Sequence, residues 1–301
     1  MAVNILRILD YIFILRPMLH LPVWTIAILG FYRASSTNSG LLPVLFLGSG
    51  LAGAVFILNQ IYDIESDRLN DKIFYLPRQI IKLGSAWLMV IVLNMVSIIL
   101  AFYISLSVGV VALVIIMLGV FYSVPPLSLK NKTWRAVIAN GIGHGTLVFL
   151  LGFCTAGGSF LPGIIKSLPY FFSVAAVYIG TTLPDIEGDK QTSKLTIGSA
   201  YSEKRAKHTM MAFYILSLIS GFALNDTPFL IAAIVTAPFY IWSIFAAKIK
   251  PAVMAIKISI ISLSLAAGYF EPSYIIFLVF LIVLTRVYYK FRFNLVYPSI
   301  K

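Results

Sequence analysis

With 301 residues, 60% of them hydrophobic and only 11% charged, and a mean hydropathy of +0.95, the chain has too few polar side chains to cover a soluble globular domain. A net charge of +12 would suit a nucleic-acid binder, but the basic residues gather in alternate loops, which is how topology is set in a membrane, so no nucleic-acid partner is expected. The apolar runs are too long and unbroken for barrel strands, which leaves an all-α, polytopic transmembrane helical bundle.

In chain order, spans are predicted near 9–33, 41–64, 84–105, 107–123, 134–156, 164–187, 207–224, 227–247, 252–269 and 273–290. The first has no small-residue cleavage site before the next span and is followed by Arg33, so it reads as an uncleaved helix rather than a signal peptide. The single cysteine, Cys154, excludes an internal disulfide and lies in an apolar run, as an inert buried thiol would. Glu271-Pro272 parts the last two spans, which could also be one broken span, so the count is nine or ten. With both ends inside, all of the 23 lysines and arginines except Arg33 and Lys166 fall on one face, expected to be cytoplasmic. No linker or low-complexity stretch divides residues 1–301, so a single multi-pass domain in the cell membrane is expected.

Six of the eleven acidic residues fall in two related stretches. One closes the second span as Asn59-Gln60-Ile61-Tyr62-Asp63-Ile64-Glu65-Ser66-Asp67-Arg68, the other closes the sixth as Thr181-Thr182-Leu183-Pro184-Asp185-Ile186-Glu187-Gly188-Asp189-Lys190. Both emerge on the basic face and are followed by the longer polar loops 68–83 and 190–206. Spans two to five and six to nine thus each open with the motif and run the same way, which predicts a parallel repeat of two four-helix units. A third signal, Tyr122-Ser123-Val124-Pro125-Pro126-Leu127-Ser128-Leu129-Lys130, closes the fourth span, where the proline pair ends the helix and leaves Lys130 near the same rim.

Residues four apart share a helix face, so Asn59, Asp63 and Asp67 are expected to form one oxygen ridge and Asp185 with Asp189 a second. Carboxylates at a helix C-terminus are disfavoured unless a cation sits with them. Two such ridges brought together suit Mg²⁺, which takes few carboxylates and shares its shell with water and phosphate. Solvated loop acids would be the plainer reading of one motif; two copies at matching helix exits argue against it. Glu65 and Glu187 fall on another face and read as partners of nearby basic residues. Arg68, Lys72, Arg78, Lys130, Lys190 and Lys194 are candidates to neutralise the phosphate oxygens of a diphosphate.

At these positions the chain resembles the UbiA superfamily of intramembrane prenyltransferases. Asn59, Asp63 and Asp67 match its first motif, Asp185 and Asp189 its second, and Tyr122, Ser123, Pro125, Pro126 and Lys130 its Tyr-Ser-x-Pro-Pro-x-x-x-Lys segment, with Pro77-Arg78 as the Pro-Arg step between. Gln60 stands where many members have Asp, Thr181-Thr182 where several have Lys-Asp, and Ser128 where Arg is frequent. The resemblance implies nine helices around a lateral cavity open to lipid. It also implies Mg²⁺, expected as two ions held by Asn59, Asp63, Asp67, Asp185 and Asp189, and transfer of a prenyl group from an allylic prenyl diphosphate to a lipophilic acceptor, aromatic or otherwise. Tyr122 and Tyr178 would face the allylic cation from the cavity wall, and Tyr62 would anchor at the interface. Asn140 and His144, four apart inside the fifth span, would orient or deprotonate the acceptor, or hydrogen-bond helix to helix. His20 has no obvious partner in the sequence, and His208 is expected to be solvated.

Two rivals remain. Membrane CDP-alcohol phosphotransferases also pair aspartates around metal, but the Asp-Gly and Ala-Arg of their motif are missing here. A divalent-cation or lipid transporter could use the aspartates as an ion path, but its carboxylates belong near mid-membrane.

Overall fold

A computed structural model describes residues 2–34, 40–69, 75–187 and 195–298, and among these it is helical with no strand. The helices are α1 (Ala2–Phe13), α2 (His20–Arg33), α3 (Leu41–Tyr62), α4 (Ile64–Leu69), α5 (Leu83–Ile104), α6 (Leu106–Ser123) and α7 (Thr133–Thr155), followed by α8 (Phe160–Lys166), α9 (Leu168–Thr181), α10 (Glu203–Ala223), α11 (Thr227–Phe245), α12 (Lys250–Phe270) and α13 (Pro272–Phe293). Polar residues punctuate the apolar runs. Ser105, Ser202 and Asp226 accept the first free N–H groups of α6, α10 and α11, and prolines open α9, α11, α12 and α13.

Eight described helical stretches are long and apolar enough to cross a membrane, nine if the pair α8–α9, bent by 48°, makes one span. The chain is therefore a multi-pass membrane protein. The span predicted at 207–224 falls in α10, whose 21 residues are long enough but start with Glu203, Lys204, Arg205 and Lys207. Lys207 is buried there, donating to the carbonyls of Ala246 and Lys248 and pairing with Glu203 at 2.7 Å, so it ties α10 to the end of α11. The last two spans are separate helices, parted at Glu271.

The first predicted span is not one helix. Its backbone breaks between α1 and α2, where Arg16 takes a left-handed conformation (φ 55°, ψ 63°) before Pro17, and a short 3₁₀ turn, Pro17–Leu19, resumes the path. Proline cannot supply the N–H that a continuous helix needs there. His20 helps secure the break, since its ring nitrogens lie 3.2 Å from the carbonyls of Arg16 and Ser49. The histidine that had no partner in the sequence therefore has two in the fold. Beyond the break, α1 is clasped to the end of α13: Asp10 accepts from Tyr288 at 2.5 Å and from Arg292 at 2.9 and 3.1 Å.

Helices α2, α3, α6, α7, α9 and α12 enclose a central cavity, while α5, α10, α11 and α13 pack outside them. Only 17% of the apolar stretch of α5 is buried against 67% for α7, which makes α5 a lipid-facing helix and α7 a central one. In the set α3–α5–α6–α7 and in the set α9–α10–α11–α12, each helix packs on the next and the fourth returns to the first.

At the face opposite the acidic motifs, α2 and α7 cross at backbone contact. A Cβ on Gly152 would overlap the Ala27 carbonyl oxygen, and one on Gly30 would overlap that of Phe149. Small residues allow such approach where dispersion, rather than the hydrophobic effect, holds helices together. On that face Arg33 donates to the Leu224 carbonyl at 2.6 Å and lies 3.6 Å from Asp226, which also accepts from Tyr170. Burial pushes the Asp226 carboxyl upward from its ordinary value, and Arg33, the Phe229 N–H and Tyr170 pull it back. Arg33, an exception to the charge asymmetry, is thus a structural tie. Gly152→Ala should lower stability by about 1–3 kcal/mol through overpacking at this crossing. Gly84→Ala, where a Cβ would meet nothing within 4 Å, should be neutral by the same thermal-unfolding assay in detergent.

Candidate active site

The cavity encloses about 620 Å³. It extends along α3 from Asn59 to Gly48, about 16 Å at 1.5 Å per residue. Its lower wall is largely apolar, with Val23, Leu51, Val148 and Leu151. Its upper part carries Arg16, Asn59, Tyr122, Asn140, Tyr178 and Asp185.

Both acidic motifs therefore reach one chamber, through Asn59 from α3 and Asp185 from the end of α9. The expected helical ridges, however, are broken. α3 stops at Tyr62, Asp63 caps it (φ −106°, ψ 5°), and Asp67 sits in the separate short helix α4. The amide of Asp67 still donates to the Asp63 carbonyl at 2.8 Å, so the two stay one turn apart across the bend. Likewise α9 ends at Thr181, and Asp185 closes a 3₁₀ turn, Leu183–Asp185, shaped by Pro184. Asp189, Lys190, Lys194 and Lys72 lie outside the described residues.

The Tyr122–Lys130 segment doubles back to the end of α3. After the proline pair, Ser128 takes a left-handed backbone (φ 35°) and Leu129–Asn131 form a single turn. This buries Lys130, whose Nζ donates to Asn59 Oδ1 at 2.9 Å and to Asp63 Oδ1 at 2.6 Å. Ser123 reaches the same Asn59 oxygen at 3.4 Å. Next to it, Asn140 Nδ2 donates to the Tyr122 hydroxyl at 3.2 Å and to the Ala136 carbonyl at 2.9 Å. One turn further along α7, His144 lies in a π-helical turn, Gly141–Leu147, and its ring stacks on Phe56 with centroids 6.0 Å apart. Such turns widen a helix and recur at functional sites.

Of the predicted basic residues, Lys130 reaches the acidic cluster, whereas Arg68 and Arg78 are exposed and do not line the cavity. Tyr178 lines it, and Tyr62 faces outward, 40% exposed and edge-on to Trp87. Glu65, Glu187 and His208 are exposed and Cys154 is buried. Sequence reasoning assigned Arg16 to topology alone, yet it lines the cavity and interacts electrostatically with Asp67 and Asp63. The signal was an Arg-Pro step inside an apolar run.

Gln60 does not face the cavity at all. It is 1% exposed, and its Nε2 donates to the Ile14 carbonyl at 2.9 Å, at the break before α2, and to the Phe56 carbonyl at 3.1 Å. A carboxylate cannot donate to a carbonyl. The departure at this position thus belongs to the break and not to the chamber chemistry.

Among the described residues no three His, Cys, Asp or Glu side chains converge closely enough to cage an ion. Asn59 and Asp185 instead present oxygens to the chamber, and Asp63 is tied to Asn59 through Lys130. Hard oxygen donors with room for water or phosphate oxygens fit Mg²⁺.

Residues 21–252 match the UbiA prenyltransferase family. The chain belongs to this family. A digeranylgeranylglyceryl phosphate synthase from Methanosphaera stadtmanae is 30% identical over 214 residues, 70% of this chain and 74% of that protein. A 2-acyl-4-prenylphloroglucinol 6-prenyltransferase from Humulus lupulus is 26% identical over 178 residues, 54% of this UbiA-family chain, which spans only 42% of that relative. The fold also matches that of a UbiA homolog from Archaeoglobus fulgidus bound to DMAPP and Mg²⁺, with a TM-score of 0.69 at 20% identity over 86% of this chain and 99% of that one.

Gln60→Glu should lower stability by about 1–3 kcal/mol, as an unmatched buried carbonyl and a carboxylate replace the hydrogen bond. Gln60→Met should cost less than Gln60→Glu, since it buries no charge, but it too removes the donor; a wild-type thermal midpoint for Gln60→Met would contradict the assigned hydrogen bond.

Proposed function

We propose that this protein transfers a prenyl group from an allylic prenyl diphosphate to a lipophilic acceptor within the membrane. The observation that carries the reading is an apolar chamber with Asn59 and Asp185 at one end and Asp63 held beside Asn59 by Lys130. The described relatives act, by their names, on prenylated phenols and on glyceryl phosphates, which supports a lipophilic acceptor of either kind. The charge asymmetry supports placing the acidic end on the cytoplasmic side.

In this reading Asn59, Asp63 and Asp185, joined by Asp67 and by Asp189 of the second motif, would hold Mg²⁺, which supplies charge neutralisation for the departing diphosphate. The chain's own groups do the rest. Lys130 and Arg16 add positive charge where phosphate oxygens would lie. The apolar wall keeps water from the electron-poor allylic carbon, which would otherwise end as an alcohol. Tyr122 and Tyr178 bring aromatic rings to the same level, each worth roughly 0.5–2 kcal/mol toward a developing cation. A transport path has weaker support. Of the described residues lining the chamber, Asp185 is the only acid, and it lies at the end of α9 rather than at mid-membrane.

Asp63→Asn and Asp185→Asn should each cut Mg²⁺-dependent diphosphate release from prenyl diphosphates by roughly 10²-fold or more, the scale of removing a group that stabilises developing charge. Both variants should still fold, as a cooperative thermal transition in detergent would show. Wild-type turnover in either would remove it from the site. Mass spectrometry of products from a panel of phenolic and glycerol-phosphate acceptors identifies the second substrate.

A further inference from the structure

One imidazole in the chamber is not used by the chemistry above. His144 is a cavity-lining residue with no hydrogen-bond partner among the described residues, and its ring lies along Phe56. Phe56 is three residues before Asn59 on α3, so the imidazole sits about 4.5 Å below the acidic cluster along the helix axis. That is the level at which the first carbon of a prenyl chain would lie if its diphosphate were held at Asn59, Asp63 and Asp185.

The neighbouring polar groups are ill suited to take a proton. Both amide hydrogens of Asn140 are donated, to Tyr122 and to the Ala136 carbonyl, and an amide is not a base at neutral pH. His20, which meets Phe56 edge to face, has its ring nitrogens against the carbonyls of Arg16 and Ser49. His144 alone of the described chamber residues offers an uncommitted basic nitrogen just beneath the diphosphate end.

We infer that His144 is the base that receives the acceptor's proton, and that the acceptor therefore carries an O–H group, as a phenol or an alcohol does. The inference rests on the donor chemistry proposed above. The allylic C–O bond breaks and its electron pair leaves with the diphosphate. A pair from the acceptor, on the alcohol oxygen or on the ring carbon activated by the phenol, forms the new bond to the prenyl carbon, and the O–H proton passes to an imidazole nitrogen of His144. Nothing is oxidised or reduced. The Tyr122–Asn140 pair, one turn nearer the acidic end, borders the space in which the O–H would sit.

The test separates cleavage of the donor from capture of its prenyl group. His144→Gln and His144→Leu are compared with the unaltered protein for thermal protection by geranyl diphosphate with Mg²⁺, for total diphosphate release, and for the ratio of prenylated acceptor to prenyl alcohol. Both variants should keep the thermal protection and release diphosphate, while prenylated acceptor falls by roughly 10²-fold or more in favour of the alcohol. Wild-type yield of prenylated acceptor in either variant overturns the assignment. So does parallel loss of donor protection, cleavage and product, which would make His144 a packing residue. If the unaltered protein shows neither Mg²⁺-dependent protection nor cleavage, the donor reading itself falls and this inference with it.

Discussion

The arrangement of the acidic end depends on one shared ammonium. Lys130 bridges the side chains of Asn59 and Asp63, 2.9 and 2.6 Å away. Without it, the negative end of the α3 dipole would meet Asp63 at the edge of an apolar bundle with one matching charge fewer. The proline pair after α6 and the left-handed Ser128 turn the chain so that Lys130 arrives there. The loop after one helix thereby fixes the end of another, and the Tyr122–Asn140 contact continues the tie into α7. Three of the six helices around the chamber are positioned by this set of contacts.

The apolar periodicity of the chain made the membrane class and nearly all helices legible, because a span must be long and unbroken whatever its neighbours do. The two acidic motifs and the Tyr122–Lys130 segment were legible as a set, since few chains put so many carboxylates at helix ends. The shape of the ridges was not. Spacing by four says that Asn59, Asp63 and Asp67 share a face if the helix continues, but not that α3 stops at Tyr62. Nor could spacing rank six basic residues by reach, because Lys130 and Arg78 differ only in where their loops fold. Gln60 looked like a departure in the site, and its real partner, the Ile14 carbonyl, is 46 positions away. The break at Arg16 and the two carbonyls beside His20 are likewise tertiary facts.

The glycines of α7 serve two ends of the same helix differently. Near the acidic end, a Cβ on Gly145 would lie 2.7 Å from the Phe171 Cα, so α9 can press against the π-helical turn that carries His144. This fit sets how far the imidazole stands from α3. Deeper in the membrane, Gly152 admits α2 instead.

That second contact lies just beyond the deep wall of the chamber, one residue past Ile26 and Leu151. There main chain touches main chain, and no side chain stands between Ala27 and Gly152 to rotate aside. The seal between α2 and α7 is therefore made of backbone, and parting it would take movement of a whole helix rather than a change of rotamer.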